Sequence, residues 1–134
     1  MRNLLTLVLL AAALDAAAAT PQQILQAYAG EAAQQQPGFT PAGERGEAFF
    51  RRQFGVSAKM PACTSCHTDN PAAAGRHAVT GKDIRPLAPA ADSERFTDAA
   101  KVEKWFGRNC KEVVGRACTP AEKADFIKFV TAGR

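Results

Sequence analysis

Aromatic nitrogen and thioether sulfur are scarce in this 134-residue chain: one tryptophan, two histidines and two methionines, Met1 and Met60. Alternation of apolar and polar residues is nowhere sustained, which argues against a sheet-based fold and against the βαβ frame of a thioredoxin-like dithiol. There is no second matched pair of cysteine or histidine ligands beside Cys63 and Cys66, so a structural zinc site lacks its other half. No dense basic run occurs, and no aromatics interleave with one, so nucleic acid is a poor partner. The net charge of +4 is mild and compatible with an anionic partner. Nor does any stretch reach the ~20 apolar residues of a membrane span.

The first residues have an address of their own. Arg2, the apolar run Leu4 to Leu14, and the small residues Ala17 and Ala19 before Thr20 form the pattern of a secretory signal peptide over residues 1–19. Asp15 interrupts it, and an uncleaved anchor is the alternative. Cleavage after Ala19 starts the mature chain at Thr20 in an oxidising, periplasmic compartment, with enough chain for one domain and one modest core.

Cys63-Thr64-Ser65-Cys66-His67 is the feature that organises the rest. The spacing is that of covalent haem c attachment: two thiols suit the two vinyl groups on one porphyrin edge, and the adjacent imidazole of His67 becomes the proximal iron ligand. One covalent haem is therefore expected. Cys110 and Cys118 remain, and a disulfide between them is the economical assignment for an exported chain.

Around the motif the chain reads as helices. Thr20-Pro21 starts one that runs to about Gln35, with Ile24, Leu25 and Tyr28 on a thin apolar face expected to pack only lightly. Residues 20–38 thus form a helix and linker, closed by Pro37-Gly38, ahead of a haem domain over 39–134. Thr40-Pro41 predicts a helix from Pro41 to Gln53, its Phe49 and Phe50 covering a haem edge and Gly46 allowing close helix contact. Residues 68–95, rich in breakers, read as a long loop in which Lys82 and Arg85 could pair with haem propionates. Thr97-Asp98 opens a helix with a stripe of Val102, Trp105 and Phe106, ending near Asn109, where asparagine tolerates a left-handed cap. Thr119-Pro120-Ala121-Glu122 is a capping box opening a last helix to about Ala132. The class is all-α, a small monohaem cytochrome c-like domain.

The other face of the iron is less determined. Met60 stands three residues before Cys63, too close along the chain to reach across the porphyrin. His77, a lysine, an asparagine or no ligand at all remain; His77 has the tether for bis-histidine ligation, which would make a simple electron carrier, or it is a loop histidine at the haem rim.

Here a resemblance adds to the residues. Trp105-Phe106-Gly107-Arg108-Asn109-Cys110, then Arg116-Ala117-Cys118-Thr119-Pro120-Ala121-Glu122-Lys123, with Gly81-Lys82-Asp83-Ile84-Arg85-Pro86-Leu87-Ala88-Pro89 after the motif, resemble the sphaeroides haem protein family of oxygen-binding cytochromes c. The likeness spans roughly residues 40–134. It implies that Asn109 is the distal ligand to ferric iron, released on reduction so that dioxygen or nitric oxide can bind, and that Cys110 and Cys118 form a disulfide beside it. It also implies electron supply from a dihaem cytochrome c and a membrane cytochrome b. A minor oxidoreductase or peroxidase activity at the open iron is a third reading, for which no acid or base near Asn109 can be named.

Overall fold

The computed structural model describes residues 18–132, so the signal-peptide reading lies, but for Ala18 and Ala19, outside the described residues. The order is α1 (Pro21–Gln35), α2 (Gly43–Arg51), the short α3 (Thr64–His67), β1 (Gly75–Arg76), β2 (Asp83–Ile84), α4 (Ala99–Asn109), a π-helical turn (Cys110–Val114) and α5 (Pro120–Thr131). Residues 68–95 are therefore not wholly loop: β1 and β2 pair antiparallel, Gly75 opposite Ile84 and Arg76 opposite Asp83. Strands of two residues carry no alternation to read, which is why the sequence suggested none. The architecture is mostly helical with one minimal sheet.

The centre of the scaffold is α5, against which both α1 and α2 lie. Thr119 accepts from the Glu122 amide and Glu122 reaches back to the Thr119 amide, with Pro120 in the first turn, so the capping box forms as its spacing predicts. Phe50 is fully buried between Phe126 and Phe129, ring centroids 6.1 and 5.5 Å away. Gly46 is where α2 crosses α5: a Cβ there would collide with the Asp125 carbonyl and with Phe129 Cβ.

Two local expectations need correction. α1 does not pack lightly, because Ile24, Leu25, Tyr28, Ala29 and Ala32 are all buried; its alanines are small enough to let the helix lie close to α5. And α2 begins at Gly43, two residues later than Thr40-Pro41 suggested, with Ala42 at its N-cap and no side-chain cap of its own. The cap comes from elsewhere. Asp125 of α5, itself buried, accepts from the Ala42 amide at 2.7 Å and from Arg45 Nε and Nη2 at 2.7 and 2.8 Å. A carboxylate at this end also complements the helix dipole.

Helix α4 opens as read, with Asp98 accepting from the Lys101 amide at 2.9 Å. Its α-helical stretch ends at Asn109 as read, but not on a left-handed cap, since Asn109 has ordinary helix values, φ −67° and ψ −36°. The backbone widens into the π-helical turn, and Gly115, at φ 81°, takes the left-handed closing position, where a residue without Cβ meets no steric penalty.

Candidate functional site

The haem motif occupies α3 and the residue before it. Amide bonds from Cys66 and His67 to the Cys63 carbonyl, at 3.3 and 3.1 Å, wind the segment so that both thiols and the imidazole share one turn. Immediately after His67 the chain reverses: Thr68 has φ 61° and ψ −179°, a conformation nearly confined to glycine. Its hydroxyl donates to the Asn70 carbonyl at 3.2 Å, which helps hold the turn. A second left-handed residue, Phe96 at φ 57°, is buried in the core. Each such residue costs about 1–3 kcal/mol, and the fold sustains both.

The hairpin is pressed against this turn. A Cβ on Gly75 would strike the Cys66 carbonyl, so glycine at this point is required by the close approach. The Ala78 amide donates to Cys66 Sγ at 3.2 Å. Cys63 and Cys66 are both free and half-buried. Burial pushes the Cys63 thiol up to about 11. Burial, and then the charge of Arg95, push His67 down to about 4. At neutral pH the site therefore presents a protonated thiol at Cys63 and an imidazole whose lone pair is free for a metal.

Three large apolar side chains stand exposed among the described residues, Val56, Val79 and Trp105. One of them, Val79, borders the motif. Val79 follows the residue bonded to Cys66; Val56 precedes the motif and packs on Gly115 behind the π turn; Trp105 lies one turn before Asn109. Two thiols and a neutral imidazole on one turn fit a covalently held porphyrin. Of the two phenylalanines expected at its edge, Phe50 belongs to the core, whereas Phe49 is half-buried and stacked edge-on against Phe54 at 5.3 Å.

Asn109 ends the inward stripe of α4. Val102 and Phe106 pack against the core, and Asn109, three residues past Phe106, continues that face into an exposed position. Among the described residues its carboxamide makes no hydrogen bond. Next to it Cys110 is joined to Cys118, Cα atoms 5.7 Å apart, both buried.

The other named residues are placed differently. His77 sits in the hairpin beside the Cys66–His67 turn, and its Nδ1 accepts from the Val79 and Thr80 amides, each at 3.2 Å. That keeps the proton on Nε2, the reverse of the usual ligating histidine, which donates from the nitrogen not bound to metal. Arg85 pairs with Asp92 and Glu94, both at 2.6 Å. Lys82 is exposed near the hairpin tip. Met60 stays in the approach to the motif, its amide donating to Ser57 Oγ at 3.2 Å. Sequence reading missed Arg95, which donates to the Pro86 and Arg85 carbonyls, and took Gly75 only as a breaker.

A helical shell around a Cys-X-X-Cys-His turn of this geometry defines a monohaem c-type cytochrome, whose cofactor is one covalent haem. Residues 37–130 match the family described as Domain of unknown function (DUF1924). The chain is 47% identical over 114 residues to cytochrome c-type protein SHP of Cereibacter sphaeroides, covering 84% of each chain. It superposes on the structure of oxidised SHP, an oxygen-binding cytochrome c, with a TM-score of 0.78 and 44% identity, over 86% of this chain and 98% of that one. It also superposes on the solution structure of Methylophilus methylotrophus cytochrome c'', described for the basis of haem-ligand detachment, with a TM-score of 0.75 and 40% identity over 85% and 94% of the chains. The chain belongs to the sphaeroides haem protein family.

Proposed function

We propose that this is a periplasmic cytochrome in which Asn109 is a ligand to ferric iron that yields on reduction, so that oxygen or nitric oxide can take its place. The haem would supply a one-electron couple and an open sixth position. The observation that carries the reading is the placement of Asn109: it prolongs the inward face of α4 beyond Phe106, and among the described residues no hydrogen bond holds its carboxamide. A carboxamide oxygen is an uncharged, hard donor, better suited to ferric than to ferrous iron. A residue meant to come and go should have no competing partner, and its backbone should nevertheless be anchored. The Cys110–Cys118 bridge, oxidised in the exported protein on this reading, anchors it. π-helical turns of this kind are frequent at functional sites, and detachment of a haem ligand is the property ascribed to the related cytochrome c''.

The same reading assigns Cys63 and Cys66 to the thioether bonds and His67 to the proximal position. Electrons would arrive from a dihaem cytochrome c and a membrane cytochrome b, an assignment that rests on family resemblance. A bis-histidine carrier using His77 is disfavoured, because Nδ1 as acceptor leaves no lone pair at Nε2. Absorption spectra of ferric and ferrous protein test the assignment. Asn109→Ala should retain covalent haem while ferric iron binds cyanide at least about ten-fold faster, a difference of ~1.4 kcal/mol in barrier, and His77→Ala should leave the ferric spectrum unchanged. A His77 variant that turns low-spin iron high-spin, beside an Asn109 variant with wild-type spectra, would replace this reading by the carrier.

A further inference from the structure

Helix α4 carries its cations on the side turned away from the core. Val102 and Phe106 pack inward, while Lys101, Lys104, Arg108 and, in the π turn, Lys111 are all exposed. The acids of this segment do little to balance them. Asp98 is engaged as the cap, Glu103 is turned to Lys123 of α5 at 2.7 Å, and only Glu112 meets one of the four, pairing with Arg108 at 3.1 Å. Lys101, Lys104 and Lys111 have no ion pair among the described residues, whereas Arg45, Arg51, Arg76, Arg85 and Arg116 each find a carboxylate.

Helix stability does not account for this arrangement. Lys101 stands in the first turn of α4, where the positive end of the helix dipole repels a cation. Lys101 and Lys104 are three residues apart and Lys104 and Arg108 four, the spacings at which like charges destabilise a helix. Trp105 adds an apolar element to the same surface. It is the chain's only tryptophan, 42% exposed, with the Arg108 guanidinium 5.7 Å from its ring centroid. An exposed indole rimmed by uncompensated cations has the composition of an interface: tryptophan and arginine anchor such contacts, and the surrounding charges select and steer the partner.

We propose that the outer face of α4 docks a protein with an acidic surface, the Trp105 indole entering an apolar recess of the partner while Lys101, Lys104 and Lys111 face its carboxylates. A membrane surface is the weaker fit, because the apolar face of α4 is packed in the core and cannot enter a bilayer. Trp105 and Asn109 are four residues apart and hence neighbours on the helix surface, so the partner approaches from the side of Asn109. That it delivers electrons rests on the function proposed above; the docking itself requires only the exposed face.

The experiment uses the haem-loaded protein and, as probe, flavodoxin, a small acidic protein. Carbodiimide coupling joins a lysine to a carboxylate only where the two are in contact. Peptide mass mapping should place the cross-links on Lys101, Lys104 and Lys111, with Lys59, Lys82 and Lys128 unmodified. Binding measured by calorimetry at low ionic strength should weaken at least about ten-fold in Lys101→Glu with Lys104→Glu, and this loss should shrink as salt is raised. Trp105→Ala should weaken binding at low and high salt alike. Lys82→Glu with Lys128→Glu reverses as much charge elsewhere and should leave binding unchanged, which separates docking at α4 from attraction to net charge. Circular dichroism and the ferric spectrum should be the same in all variants. Cross-links spread over all the lysines, equal losses in the two double variants, or binding to phosphatidylglycerol vesicles in place of flavodoxin would overturn the proposal. Docking that persists while Asn109→Ala leaves the ferric spectrum unchanged would keep this face and remove the distal-ligand reading instead.

Discussion

The molecule has two unlike halves. Along α1, α2 and α5 each group is answered by another part of the chain: Phe50 is enclosed by two rings, Gly46 lets two helices touch, and Asp125 caps a helix that lacks a cap of its own. Between Phe54 and Gly115 the chain is held in less comfortable ways, with free thiols, two left-handed non-glycine residues, a π-helical turn, and three exposed apolar side chains. The difference teaches that stability and chemistry are segregated. The first half supplies most of the core, which Leu87, Phe96, Val102 and Phe106 of the second complete, and the second is shaped by what it is built to hold.

That division can be broken from either side. The largest effect should come from Cys63→Ala with Cys66→Ala: intact-mass measurement after maturation should show the polypeptide without added haem, while far-ultraviolet circular dichroism still shows the helices of the scaffold. A protein that retained the haem mass would remove the central assignment. Phe50→Ala should act in the opposite sense, costing about 3–5 kcal/mol in denaturant unfolding with haem attachment and ferric spectrum unchanged. A spectral change in that variant would show that the halves are coupled.

The smallest effect sharpens the comparison on the scaffold side alone. Hydrogen bonds from Arg116, and then the Thr119 amide, hold the Glu122 carboxyl below its usual range against the opposing effect of burial. Its folded-state value is depressed, so its stabilisation is complete above the ordinary glutamate range and is lost as pH falls through the lowered one. Glu122→Gln keeps the capping partner but not the charge, and should cost no more than about 1 kcal/mol. The difference between variant and wild type should shrink as urea melts are taken to more acid pH; a difference independent of pH would refute the electrostatic part.

What could be read from the sequence follows the same line between local and distant causes. The Cys63–His67 turn and the capping box of α5 are written in consecutive residues, so spacing alone revealed them. Asp125 as the cap of α2 was invisible, because donor and acceptor are far apart in sequence, and Thr40-Pro41 offered a plausible local start instead. The hairpin escaped because its cause is the approach of Gly75 to the Cys66 carbonyl, a contact without periodicity. Arg95 looked like any loop arginine; only burial and two backbone carbonyls distinguish it from Arg85. The light packing expected of α1 undervalued alanine, which adds little apolar area but permits close helix contact.

Lys123 carries one further consequence, for chemical footprinting. Its amine donates to both carboxylate oxygens of Glu103 at 2.8 and 2.7 Å and lies over the Tyr28 ring, 5.0 Å from its centroid, while Tyr28 itself donates to Glu103 at 2.7 Å. With its side chain only 12% exposed, it should resist acylating reagents that mark exposed lysines such as Lys82 and Lys101 within minutes. It becomes reactive when α1 lifts away and takes the tyrosine with it. A single mass-resolved acyl group on Lys123 would therefore record, covalently and one molecule at a time, how often the first helix leaves the scaffold.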